Sequence, residues 1–252
     1  MIRSRTLDIV LGIAGILILL VLWHLVTSYE LISRVFLPGP AATFRSLERG
    51  IVEGALLPQT WATIERMLQG WLLASVVAIA IGSLIGVSST ARAYLQPTLE
   101  FLRPLPASAI IPVAIAVVGL SWKMVLFVVV FGSVWPTLLA TVHGFAHVEP
   151  RLVEVSRLLQ MSRLAFIFKI GLPNAVPDIL AGMRLSLTVA LILAVVGELL
   201  TGELGLGTAV LHASRQYRAD DLYAGIILLG VIGLVSNYGL ALADKRILAW
   251  KG

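Results

Sequence analysis

The chain has 252 residues, 58% of them hydrophobic and only 13% charged, with a mean hydropathy of +0.95. A soluble domain carries about 25% charged residues, so this composition excludes an ordinary soluble protein and points to an all-α chain that crosses a membrane several times. The lack of cysteine excludes a disulfide framework, a thiolate metal site and a cysteine nucleophile, and the net charge of +5 sits in short loops between apolar runs, which argues for membrane topology and against nucleic acid.

A membrane-spanning helix needs about 20 mostly apolar residues. The first such run covers 7–26, behind Arg3 and Arg5. No small-residue cleavage site follows it, so it reads as an uncleaved first helix with its N-terminus inside. Residues 28–58 are mixed and contain Pro38, Gly39 and Pro40. They are expected outside, with a short interfacial helix over 41–49. The second span covers 60–87, where Gly82 and Gly86 have the spacing of a close helix contact. Residues 88–96 read as a short loop containing Arg92. The third span, 97–120, is interrupted by Pro104, Pro106 and Pro112. Such breaks survive in lipid only where protein or a water-filled cavity satisfies the freed backbone, so this span is expected inside the bundle.

Trp122 marks an interfacial turn before the fourth span, 124–142, which contains Trp135 and Pro136. The polar segment 143–174 comes next, then the fifth span, 175–200. Residues 201–221 are polar and Gly-rich and are expected outside. The sixth span covers 222–243, and Lys245, Arg246 and Lys251 mark the tail. Together these give about six helices with both termini inside, in one membrane domain over 1–252 with no internal repeat. His143 and His147 stand four residues apart, no Glu or third His completes a metal-site motif with them, and they read as interfacial histidines rather than ligands.

The segment 143–174 holds Arg151, Arg157, Arg163 and Lys169, which places it in the cytoplasm. Leu152, Val155, Leu159 and Leu164 form one apolar side of short helices. Pro150 suits a helix start, and Pro173 and Pro177 are expected to break the helix before the fifth span. On its residues alone the segment is either a lever gripped by a partner or a plain connecting loop.

The run from Glu154 to Pro173 resembles the EAA loop of ABC importer permeases: Glu-Ala-Ala, three residues, Gly, nine residues, then Ile-x-Leu-Pro. Glu154 opens the pattern, and Ile170, Leu172 and Pro173 close it in register. Val155 and Ser156 stand for the two alanines and Gln160 for the glycine, so the loop is expected to be more continuously helical here. The resemblance covers nearly the whole chain and is to the nitrate, sulfonate, taurine and bicarbonate branch. Phe36-Leu37-Pro38-Gly39-Pro40 resembles that branch's Leu-Pro-Ser-Pro element, and Leu102-Arg103-Pro104-Leu105-Pro106 its Arg-Pro-Ile-Pro stretch. Gly197-Glu198-Leu199-Leu200 and Gly205-Leu206-Gly207 resemble the end of its fifth helix and the loop beyond.

The resemblance implies a type I ABC importer permease fold, a pair of permease copies (a homodimer), and a delivering substrate-binding protein. It also implies two copies of a cytoplasmic ATPase docked on Glu154, Val155, Ser156, Gln160 and their neighbours. ATP and Mg would belong to that ATPase, because this chain has no phosphate-binding loop and implies no cofactor of its own. The implied location is the bacterial inner membrane, and the implied cargo a small anion such as a sulfonate or nitrate, with heterocyclic vitamin precursors as the other class.

Charged residues within spans are costly and often functional. Arg103, Arg184 and Glu198 are therefore the candidates for the translocation path or its gate, with Glu198 near the external end. Ser186 and Asn237 are expected to be interhelical hydrogen-bond donors. An ion-coupled secondary transporter or channel acting alone is the alternative. It calls for intramembrane polar relays, in which the chain is poor.

Overall fold

The computed structural model describes residues 5–102 and 104–249. Arg103 lies outside the described residues, as do Arg3 and Lys251. The described residues form helices joined by short turns, without strands. Helix α1 (Arg5–Ser28), α2 (Pro40–Val52), α3 (Leu56–Val87) and α4 (Ser89–Leu102) come first. A 3-10 turn, Ala107–Ile110, leads into α5 (Ile111–Val118), and then α6 (Trp122–Ala146). Next are α7 (Pro150–Leu158), α8 (Arg163–Phe166), a π-helical segment (Ile167–Gly171) and α9 (Leu172–Thr201). The last two are α10 (Leu206–Arg215) and α11 (Ala219–Ile247). Five of these runs are long and apolar enough to cross a membrane, and the bent α4–α5 pair, counted as one broken span, brings the number to six.

Helices α3, α6 and α9 form the centre. Lipid is as apolar as leucine, so close packing rather than burial from water holds helices together in a membrane. The chain meets this need with small residues. Gly70, Ala74, Ala78, Gly82 and Gly86 recur every four residues along α3, and all are buried. A Cβ at Gly82 would lie 2.7 Å from Thr141 of α6, and one at Gly86 would lie 2.5 Å from Phe145. The Gly82/Gly86 pair is thus the α3–α6 seam. On the other side of α6, Gly182 of α9 sits against Pro136 and Ala140, and Gly197 against Val125. The Ser186 hydroxyl donates to the Ser133 carbonyl at 2.5 Å, bridging α9 and α6 as expected. The Asn237 amide donates to the Gly233 carbonyl within α11 at 2.9 Å and reaches Thr188 of α9 at 3.5 Å.

Two expectations fail locally. Residues 89–96 are helical rather than part of a loop, because the Ser88 hydroxyl accepts from the Ala91 amide and caps α4. The proline-broken third span does not lie inside the bundle as a whole. Helix α4 buries none of its residues, it bends 82° from the following 3-10 and α5 segment, and only Ile111 and Ala114 of α5 reach the core. Within residues 201–221, α10 places Leu206, fully buried, in the main core beside Met67 and Val125.

Candidate functional site

The segment from α7 to α9 is built as a projecting arm on a fixed base. At the base, a Cβ at Gly144 of α6 would lie 2.8 Å from the Ala175 Cα, and the Asn174 amide donates to the Gly144 carbonyl at 3.3 Å. The Phe145 ring, itself buried, fills the space beside Gly171, where a Cβ would approach it to 2.2 Å. Ile167, Ala175 and Ile179 complete this small core, with Leu172 packed against it. The two roots of the arm are therefore clamped to each other and, through Gly86, to α3.

The arm itself is lightly held. Helix α7 barely touches any other helix. Pro150 opens it, as the sequence indicates. Glu154 is exposed, and Val155 is 46% and Leu158 82% exposed. Leu152, Leu159 and Leu164 are also exposed, so the apolar side read from the sequence faces outward instead of packing on the bundle. Ser156 is turned inward, and its hydroxyl donates to the Val153 carbonyl at 2.7 Å.

The chain turns at Gln160, which has φ +49°. Its amide donates to the Arg157 carbonyl and the Met161 amide to the Ser156 carbonyl, both at 3.0 Å. This pair of bonds is a Schellman helix ending. The expectation of a more continuous helix is overturned: the two closing bonds hold a non-glycine residue in the left-handed region. Ser162 then restarts the chain, its hydroxyl accepting from the Ala165 amide at 3.2 Å. A side chain in left-handed geometry costs about 1–2 kcal/mol, part of which glycine's greater chain entropy offsets. Gln160→Gly is accordingly expected to raise stability by up to about 1 kcal/mol, and Gln160→Val to lower it by at least as much. Thermal unfolding of the detergent-solubilised chain reads both, and a stable Gln160→Val chain would rule out this turn.

The expected helix break at Pro173 and Pro177 does not occur. Pro173 lies in the first turn of α9 and Pro177 one turn later, and the run continues from Arg163 to Thr201. A proline ring collides with the carbonyl four residues before it, and the wide π turn ahead of Pro173 makes the room. Ile170 and Leu172 are half-buried here and Pro173 exposed, so the closing part of the motif forms the base and its opening part the arm.

The path candidates fall in different places. Arg184 is half exposed and pairs with Asp244 near the end of α11. Glu198 is 0% exposed and lies inside the fold. Its carboxylate accepts from Arg66 Nη1 at 2.8 Å, from the Thr63 hydroxyl at 3.0 Å and from the Gly207 amide at 3.0 Å. Arg66 also donates to the Leu204 carbonyl at 2.5 Å and approaches Glu203 at 3.8 Å. Thr63 Oγ1 in turn accepts from the Leu206 amide at 2.9 Å.

This lock explains the glycines of the turn. Gly202 ends α9 in the left-handed region, φ +71°, and its amide closes on the Glu198 carbonyl at 2.9 Å. A Cβ at Gly205 would lie 2.1 Å from the Glu198 carboxyl carbon, and one at Gly207 2.5 Å from the Val195 carbonyl oxygen. The carboxylate also sits at the positive N-terminal end of α10. Arg66 and Thr63 escape the sequence reading. The signal for Arg66 was an arginine within an apolar helix, whereas nothing local marks Thr63.

A family model described as "binding-protein-dependent transport system inner membrane component" matches residues 75–249. An aliphatic sulfonates transport permease protein of Bacillus subtilis, SsuC, is 30% identical over 93% of this chain and 85% of its own length. A bicarbonate transport system permease protein of Synechocystis, CmpB, is 31% identical over 97% of this chain and 91% of its own. Among solved structures, the inward-facing MetNI methionine ABC transporter has a chain similar at a TM-score of 0.65 and 18% identity, over 76% of this chain and 95% of that one.

Proposed function

The chain belongs to the family of binding-protein-dependent transport system inner membrane components and is the membrane-spanning permease subunit of an ABC importer, and from that premise we propose how it is driven and what it carries. The family works with a substrate-binding protein and an ATPase. Here the ATPase docks on the α7 arm, with Glu154, Val155 and the flanking exposed leucines in its cleft. Gln160 sets the angle of the arm, Ser156 stiffens it, and Ile170, Leu172 and Pro173 pass its motion into α9. The observation that carries this reading is an exposed apolar arm, with almost no contacts of its own, mounted on a base where three spans are clamped together. A large exposed apolar face needs a partner.

Two copies of the chain pair as a homodimer and bind two ATPase copies, which hold the ATP and Mg²⁺. The 143–174 segment and both termini face the cytoplasm, in keeping with the distribution of basic residues. The path runs along the flank where α6, α9 and the turn before α5 enclose a cavity of about 600 Å³ beside Trp135, Pro136 and Leu185. Arg103, outside the described residues, and Arg184, which pairs with Asp244 and does not line this cavity, are the cationic candidates for the path. Glu198 serves it only indirectly, by holding the external turn in place. The cargo is a small anion of the sulfonate, nitrate or bicarbonate kind, supported by the names of the relatives.

Co-purification of the full chain with its ATPase tests the arm. Losing one charge-assisted contact costs about 1.5–3 kcal/mol, so Glu154→Ala is expected to weaken the complex roughly tenfold or more. Wild-type binding that Glu154→Ala leaves unchanged would move the contact elsewhere, and no ATPase binding at all would overturn the proposed coupling.

A further inference from the structure

We propose that the groove between α3 and the α8–π segment binds an anionic phospholipid, with an acyl chain along α3 and the headgroup held by Arg163 and Lys169. The groove has a volume of about 430 Å³ and is lined almost wholly by carbon. Val76, Ala80 and Leu84, at four-residue spacing, form one wall along α3, about 12 Å long at 1.5 Å per residue. Leu164, Ile167 and Phe168 form the other. Val76, Leu84, Leu164 and Phe168 are each about two-thirds exposed, so the groove opens outward from the bundle between two apolar spans.

The charge beside the groove selects the occupant. Arg163 and Lys169 immediately flank Leu164 and Phe168 in the chain, are exposed, and form no ion pair among the described residues. Basic side chains at a membrane surface attract anionic lipid, whereas a zwitterionic headgroup would bring its own cation against them. A lipid seated here bridges α3 and the root of the projecting arm.

The full chain is purified in detergent, equilibrated with equal amounts of phosphatidylglycerol and phosphatidylcholine of the same acyl composition, and examined for retained lipid by native mass spectrometry. The wild type is expected to retain phosphatidylglycerol preferentially. The Arg163→Gln/Lys169→Gln chain is expected to lose that preference by roughly 30-fold, the effect of two surface cations. Ala80→Trp, which fills the groove from its open side, is expected to retain less of both lipids. Equal retention of the two lipids by the wild type, or an unchanged preference in the double variant, overturns the proposal. So does Ala80→Cys crosslinking one copy to another, which would assign the groove to a second chain; the absence of native cysteine makes that readout specific. None of these measurements involves the ATPase or transport, so failure here is distinct from failure of the coupling reading.

Discussion

Arg66→Ala is expected to destabilise the chain by about 3–5 kcal/mol, because it leaves a buried carboxylate without its counter-charge. Glu198 is fully enclosed, and the Thr63 hydroxyl and Gly207 amide that remain are neutral donors. The turn from Gly202 to Gly207 folds around that carboxylate, so the loss spreads to α10 and to Leu206 in the core. Thermal unfolding of the solubilised chain and its size-exclusion profile read the effect. The informative companion is the double variant Arg66→Met/Glu198→Met, which buries no charge. Replacing a buried pair by apolar residues is often neutral or stabilising, so the double variant is expected to recover most of the loss. An Arg66→Ala chain as stable as the wild type would mean that the pair does not form in the membrane.

Phe145→Ala is the second large effect, at about 3–5 kcal/mol for a buried aromatic truncated to a cavity. The ring lies between Gly86 of α3 and Gly171 at the root of α9, with Ile167, Ala175 and Ile179 around it. Gly171→Ala attacks the same contact from the other side: its added carbon has no room, and overpacking costs about 1–3 kcal/mol. The two changes are expected not to add. With the ring gone, the Gly171→Ala carbon enters the space it vacated, so the double variant is more stable than the sum of the single losses predicts. Additive losses would show that Phe145 and Gly171 do not share a contact. In the assembled importer, either single variant is expected to lower solute uptake per ATP hydrolysed, since this is where the arm joins the spans.

Much of this was legible in the chain. The apolar runs mark each membrane-crossing helix to within a few residues at most ends, and the EAA-like spacing marks the arm and its base. The misses share a cause. Ser88 and Pro173 are local signals whose sign depends on the neighbouring backbone: a hydroxyl can cap a helix, and a π turn can admit a proline. The outward apolar side of α7 was visible as a pattern, but the pattern does not say whether that side packs inward. Gln160 carries no sequence mark of left-handed geometry, because the Schellman bonds that hold it are made by the backbone.

The sequence by itself determined the class of the protein and the rough course of its chain. Lipid allows only segments of a certain length and composition to cross it, and those are local properties. The tertiary structure decided what each polar residue inside that frame does. Arg66 and Glu198 are 132 positions apart, and Phe145 serves three elements at once. Helices this uniformly apolar carry little periodic signal to say which face packs where. Only the close approach of α3, α6 and α9, at contacts with no room for a Cβ, brings these residues together.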